Sequence, residues 1–142
     1  MKNTYDLDCG LAKTLNILGD KWTLLVLHRI LSGIGVFKEL QESLKTIPTN
    51  ILSQRLKLLE EHGFIKAELY VEHPPRYRYL PTEKGESFKE VFNVMSKWSH
   101  HHLTNCSRTL CHTACGNEAE LRFYCPRCDT YTEQVSVMEA TK

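Results

Sequence analysis

Five of the six cysteines lie after residue 105, and two of them form a C-x2-C knuckle, Cys125-Pro126-Arg127-Cys128. Upstream stands Cys115-Gly116, preceded by His112 at the same x2 spacing. Two such knuckles, with strands between and after them, can bring three thiolates and an imidazole onto one tetrahedral ion. Cys111 competes with His112 for the fourth place at a looser x3 spacing. A thiolate-rich set selects zinc over harder ions. Four protein ligands leave no position for water, so the expected cofactor is one structural zinc per chain. The competing chemistry is a set of free thiols, or a redox pair at Cys125 and Cys128. No βαβ pattern of the thioredoxin kind surrounds that pair. Neither a nucleotide-binding glycine loop nor a hydrolytic triad is present, so an enzyme is not expected.

A second group of residues has the chemistry of nucleic-acid contact. Asn50, Ser53, Gln54 and Lys57 fall at i, i+3, i+4 and i+7, forming one polar helical stripe without an acid. Ile51, Leu52, Leu56, Leu58 and Leu59 fill the opposite arc, and Glu60 and Glu61 come only at the far end. Amide, hydroxyl and ammonium groups read base edges and anchor phosphates. Thr49 or Asn50 is the expected N-cap. Arg55 projects into the apolar arc and should find a carboxylate on a neighbouring helix, Glu39 or Glu42. Farther on, Arg76 and Arg78 share one side of a strand whose other side carries Tyr77 and Tyr79. Those arginines suit a phosphate backbone or a minor groove. Thr49, Asn50, Ser53, Gln54, Lys57, Arg76 and Arg78 are therefore the expected DNA-binding set.

The elements that must position these groups follow from periodicity. Leu11–Leu18, Trp22–Leu31, Phe37–Leu44 and Ile51–His62 read as four helices, with glycines after the first, second and fourth. Residues 64–71 and 76–80 read as strands joined by His73-Pro74-Pro75. Pro81-Thr82 then starts one long helix with Phe88, Val91, Phe92, Met95 and Trp98 as its apolar stripe. His100-His101-His102 ends it, as solvated imidazoles at a helix C-terminus. Two helices, a short turn and a hairpin give the order of a winged helix-turn-helix. The expected class is α+β, mainly α. Residues 1–103 form the winged helix-turn-helix domain, and residues 104–142 a zinc-ribbon-like appendage with strands at 120–124 and 133–137.

Length and composition agree with this division. A chain of 142 residues suits one domain with a small appendage. With 42% hydrophobic and 25% charged residues, wholesale disorder is excluded. The longest apolar runs, such as Leu24–Leu27, are far too short to span a membrane. Met1–Asp8 has no basic region feeding an apolar core, so no secretory signal is expected and the protein is read as cytoplasmic. In a reducing compartment, clustered cysteines serve metals or redox chemistry rather than disulfide scaffolds. A formal net charge of +1 neither favours nor excludes nucleic acid.

Several motifs carry a family resemblance: Cys9-Gly-Leu-Ala, Leu18-Gly-Asp-Lys21-Trp22-Thr, Phe37-Lys-Glu-Leu40, Leu52-Ser-Gln-Arg55-Leu56-Lys-Leu58-Leu59-Glu60, Gly63-Phe-Ile65 and Tyr79-Leu-Pro-Thr82-Glu-Lys-Gly85. In this order and spacing, from Cys9 to Trp98, the chain resembles the HxlR-type bacterial transcriptional regulators. The resemblance implies a winged-helix homodimer, built on the terminal helices, that binds operator DNA. The C-terminal segment is similar to the small zinc ribbons appended to some HxlR-type proteins, which implies His112 rather than Cys111 as the fourth ligand. Redox-sensing HxlR-type proteins carry a responsive cysteine at the position of Cys9, and some pair it with a cysteine of the other subunit. Cys106 is the counterpart here. A helix N-terminus and Lys13 favour a Cys9 thiolate, while Asp6 and Asp8 oppose it. The alternative function is a protein-recruiting module of the transcription machinery, which also combines winged helices with zinc ribbons. Retention of duplex DNA at low salt separates the two.

Overall fold

The computed structural model describes residues 4–140. Its first helix, α1 (Gly10–Leu18), is capped by Cys9, whose extended backbone lets Sγ accept the Ala12 N–H at 3.3 Å. The second, α2 (Thr23–Leu31), starts on Asp20. Its Oδ1 accepts the Trp22 and Thr23 amides at 2.9 and 3.2 Å, and its Oδ2 accepts the Thr23 hydroxyl. These bonds satisfy donors that a helix start otherwise leaves unpaired. Two more helices follow, α3 (Phe37–Leu44) and α4 (Thr49–Glu61). Their apolar faces meet those of α1 and α2 in one core that includes Leu18, Val26, Leu27, Leu40, Leu52 and Leu56.

The start of α4 differs from the expected cap. Pro48 occupies the cap position without a side-chain bond, and Thr49 is the first helical residue. The Thr49 hydroxyl instead accepts Gln41 Nε2 at 2.7 Å. Proline's preset φ orients the entry, which frees Thr49 to tie α4 to α3.

The wing consists of β1 (Ile65–Val71) and β2 (Arg76–Pro81), antiparallel with Ile65 opposite Pro81 and Glu68 opposite Arg78. A bulge between Leu69 and Val71 shifts the register near the tip. At its base the wing is fastened to the α2–α3 loop, where Tyr79 N–H donates to the Gly35 carbonyl at 2.8 Å. A Cβ at Gly35 would stand 2.3 Å from the Tyr79 oxygen, so this approach admits only glycine.

The expected long helix is two, α5 (Glu83–Ser87) and α6 (Lys89–His102), interrupted at Phe88. Thr82 caps α5 through its hydroxyl, which accepts Gly85 N–H at 3.2 Å and donates to the Gly63 carbonyl at 2.6 Å. Phe88 and Phe92 meet edge to face at 5.3 Å, and they reach Phe64 and His28 respectively.

The chain divides into two compact units inside α6, at Phe92/Asn93. From Asn93 onward no described residue is buried. The second unit contains two hairpins. In one, Ala119 N–H bonds the Leu110 carbonyl and His112 N–H bonds the Asn117 carbonyl, both at 2.8 Å, with Cys111 bridged to Glu118. The other pairs β3 (Phe123–Cys125) with β4 (Thr130–Thr132). The strands expected at 120–124 and 133–137 are thus displaced toward each other, because the Cys125–Cys128 knuckle is itself the hairpin turn.

Asp20→Ala should destabilise the chain by about 1–3 kcal/mol, from a lost cap and an orphaned Arg55. Urea unfolding followed by far-UV circular dichroism measures it. Burial pulls the Asp20 carboxyl up, but bonds from Thr23 and Trp22 and the Arg55 charge bring it below its ordinary value. Its contribution is therefore complete above the ordinary carboxylate range and is lost as pH falls through the lowered value. The two urea midpoints should converge in acid.

Candidate nucleic-acid interface

Along α4, Leu52, Leu56 and Leu59 are buried, while Asn50, Ser53, Gln54 and Lys57 form the exposed opposite stripe. These four do not stand in equal condition. Ser53 donates to the Thr49 carbonyl at 3.1 Å, and Lys57 lies 3.7 Å from Glu61. Among the described residues Asn50 and Gln54 make no side-chain hydrogen bond, and they stand one turn apart. Thr49, spent on Gln41, positions the helix start rather than presenting a free hydroxyl.

Arg55 does find a carboxylate, but it is Asp20 and neither Glu39 nor Glu42. Its Nε lies 3.1 Å from Asp20 Oδ1, with both side chains mostly covered. The pair is electrostatic, since Nε makes no aligned hydrogen bond among the described residues. Glu42 lies instead 3.9 Å from Lys38. Asp20 reads in sequence as a helix stop, and nothing local shows that α4 crosses the start of α2.

On the wing, Arg76 and Arg78 are exposed and neither forms an ion pair among the described residues. The Arg78 guanidinium lies 5.8 Å from the Tyr70 ring centre, a contact that limits its swing. Tyr79 turns toward the core, where burial, then Glu60 and Tyr77, raise its phenol above the ordinary value. An open cleft of about 530 Å³ lies between wing and α3, lined by Val36, Lys38, Tyr70, Arg76 and Tyr77 among others. Lys38 adds a cation beside Arg76 that sequence reasoning missed. Its only signal was a place in the first turn of α3.

The metal candidates come together as two pairs. His112 Nδ1 is 3.3 Å from Cys115 Sγ. Cys125 and Cys128 share one turn, where the Cys128 amide and thiol, then the Arg127 amide, hold the Cys125 thiol below its ordinary value. No group of three or more His, Cys, Asp or Glu side chains converges as metal ligands among the described residues. Cys111 is exposed, and Cys106 is half-buried with Sγ 3.8 Å from the Thr104 carbonyl. Lys13, expected to assist Cys9, is engaged with Asp8 at 2.5 Å.

The three terminal histidines of α6 are not simply solvated. His100 Nδ1 lies 2.7 Å from the Cys106 carbonyl, His102 stacks on Trp98, and His101 Nε2 lies 2.6 Å from Glu118. Glu118 also accepts Lys97 Nζ at 2.9 Å and the Thr109 hydroxyl at 3.0 Å. Those bonds lower its carboxyl to about 2, with Lys97 the largest cause.

A polar second helix and an arginine-bearing hairpin, held on one apolar core, define a winged helix-turn-helix transcriptional regulator. The chain belongs to the HxlR-like helix-turn-helix family, whose profile matches residues 17–107. Rv3095, an uncharacterized HTH-type transcriptional regulator of Mycobacterium tuberculosis, is 31% identical over 122 residues, 84% of this chain and 77% of its own length. The HTH-type transcriptional regulator YodB of Bacillus subtilis is 33% identical over 84 residues, 59% of this chain and 75% of YodB. The structure of reduced YodB matches with a TM-score of 0.58 at 29% identity, over 69% of this chain and 97% of that one. Its quinone-bound form matches as well, with a TM-score of 0.55 at 30% identity, over 64% of this chain and 96% of that one. The redox regulator HypR in its reduced form matches with a TM-score of 0.63 at 25% identity, over 68% of this chain and 95% of that one. The relatives favour a regulator over a protein-recruiting module. No helix among the described residues is long and apolar enough to cross a membrane.

Glu118→Gln should loosen the segment after α6, because the amide keeps the shape and loses the charge. Limited proteolysis should cut within residues 104–122 faster, with the helical body melting as before. In the wild type this clamp should hold through the ordinary carboxylate range and fail only as pH nears about 2.

Proposed function

We propose that the protein acts in the cytoplasm as a homodimer on a two-fold symmetric operator in duplex DNA. The observation that carries this reading is the exposed, acid-free stripe of α4, with Asn50 and Gln54 unbonded at its N-terminal end. Recognition helices enter a major groove with their N-terminal residues on base edges. Asn50 and Gln54 then read bases, Ser53 and Lys57 hold phosphates, and Thr49 sets the helix entry. Arg76 and Arg78, with Lys38 nearby, follow the adjoining backbone. Dimerisation is supported by apolar side chains left in solvent on both terminal helices. Leu11 of α1 is 71% exposed and Trp98 of α6 is 57% exposed. Val94, Met95, Trp98 and Leu103 line an open groove of about 370 Å³, a surface a second copy would cover.

The half-sites should lie about 10 base pairs apart, or a multiple of that. Asn50→Ala or Gln54→Ala should relax base preference and cost roughly 1–3 kcal/mol. Arg76→Ala or Arg78→Ala should weaken binding to all sequences and reduce the salt slope by about one. Footprinting and salt-dependent retardation assays measure both. Absence of a protected palindrome, or indifference to all four changes, would overturn this placement.

Thiol control at Cys9 belongs to the same proposal. Cys9 is exposed, and its sulfur sits at the N-terminus of α1 taking the Ala12 N–H. The likeness to YodB, seen reduced and quinone-bound, and to the redox regulator HypR supports a sensing role. An electrophile would add to Sγ. An oxidant such as diamide would take two electrons and two protons as Cys9 joins the partner subunit's Cys106 in a disulfide. Diamide or a quinone should release wild-type protein from DNA and leave Cys9→Ser bound, and a non-reducing gel should show the cross-link. Equal loss from both proteins would exclude Cys9.

A further inference from the structure

We infer that the cleft between the wing and α3 is a binding site for a small aryl carboxylate, a flat ring system bearing one negative charge. The cleft exists because two chain segments part. Val36 forms an antiparallel bridge with Arg78, and Tyr79 N–H bonds the Gly35 carbonyl, so the chain entering α3 runs alongside β2. At Phe37 that chain turns into a helix. The neighbouring strand extends on past Tyr77 and Arg76 toward the tip of the wing. Between the diverging segments a space of about 530 Å³ opens. Cavities that take small ligands have volumes of about 300–1,000 Å³.

Two kinds of group dominate the lining. Phe37, Tyr70, Tyr77 and Tyr79 bring four rings, and Lys38 and Arg76 bring two cations. No carboxylate is among the described lining residues. Neither cation is firmly committed elsewhere. Arg76 forms no ion pair among the described residues, and Lys38 reaches Glu42 only at 3.9 Å, with both side chains largely in solvent. Aromatic walls select a flat apolar body, and available cations select a negative charge. No amide or aliphatic hydroxyl side chain is among the described lining residues, so only phenols are there to bond a base edge or a ribose. The cleft suits an aryl acid better than a nucleotide.

The rings are set before a ligand arrives. The register shift between Leu69 and Val71 makes Tyr70 the extra residue of β1, and bulges re-aim side chains. The Arg78 guanidinium, 5.8 Å from the centre of that ring, steadies it. Tyr79, at the base of the wing, packs against the core. Walls already in place lose little side-chain freedom on binding. On the operator reading, Arg76 and Lys38 face the DNA backbone, and an anion seated between them neutralises the same charges. Ligand and DNA then compete. That consequence rests on the operator reading, whereas binding of the aryl acid does not.

The test titrates reduced full-length protein, without DNA, with 2-naphthoate by isothermal titration calorimetry. Saturable binding at one site per chain is expected. The neutral isostere 2-naphthamide should bind about tenfold more weakly to the same wild-type protein, which makes the result independent of any variant's folding. Arg76→Ala and Tyr70→Ala should each weaken 2-naphthoate about tenfold. Lys66→Ala, which removes an exposed wing cation outside the cleft, should leave binding unchanged. Amide shifts in NMR spectra should centre on residues 36–38 and 70–79. Absence of saturable binding, equal affinity for acid and amide, or shifts centred on the α6 groove of Val94, Met95 and Trp98 would each overturn the site. In retardation assays 2-naphthoate should release the protein from duplex DNA. Protein that binds DNA and 2-naphthoate together would overturn the competition. Protein that never binds DNA would overturn the operator reading alone, with calorimetry still deciding the cleft.

Discussion

The contact between Asp20 and Arg55 sets the orientation on which the rest of the helical unit depends. One carboxylate caps α2 through two amides and a hydroxyl while it neutralises the one cation on the apolar side of α4. A half-buried arginine is costly unless it is paired, so α4 can rotate little about its axis without exposing leucines or stranding that charge. Packing of leucines alone tolerates small rotations; a charge pair tied to a helix cap does not. The polar stripe faces outward because Arg55 is held inward.

The same economy recurs at the wing. Gly35 lets the α2–α3 loop lie against Tyr79, and Thr82 bonds both the turn after α4 and the start of α5. Each fastening is a backbone contact enabled by one small or hydroxylated residue. The arginines of the wing therefore stand on a hairpin anchored at its base, free only at the bulged tip. The C-terminal unit has no such core to lean on. There Glu118 gathers Lys97, His101 and Thr109, so charge-assisted bonds do the organising that leucines do in the first unit.

What could be read in the sequence was whatever rests on local periodicity. The four helices, the polar stripe of α4, the paired strands of the wing and the place of Cys9 just before the first helix all follow from spacing alone. The features that could not be read involve a residue with a second, distant use. Asp20 looks like a helix stop, and its hold on Arg55 exists only once α4 crosses α2. Thr49 looks like a cap, but proline takes the cap and Gln41 claims the hydroxyl. The interruption at Phe88 carries no proline or glycine to announce it. In the C-terminal segment, β-propensity pointed to 120–124 and 133–137, whereas the knuckle's own turn decided which residues pair. The histidines after Ser99 look alike in sequence, yet they meet a carbonyl, a carboxylate and an indole. Of the candidate site, the readable part was the residue types; their division into bonded and unbonded groups was not.

A sensing role for Cys9 and a reading role for α4 require a physical connection, and the chain supplies a short one. The Cys9 sulfur is the acceptor for the first turn of α1, so adding to it, or oxidising it, removes the cap and leaves the Ala12 amide unpaired. Ala12 and Leu18 are buried, which makes α1 part of the core rather than a loose arm. Its far end is Gly19, closed onto the Leu15 carbonyl at 2.8 Å, and the next residue is Asp20. Tyr5 and Asn16, bonded to each other at 2.8 and 3.0 Å, lie in the same cleft as Asp20 and Arg55. On the proposed reading, a shift of α1 would act on the carboxylate that orients α4. On the proposed reading, the thiol need not lie near DNA to control it: it acts through the cap of one helix on the ion pair that aims another.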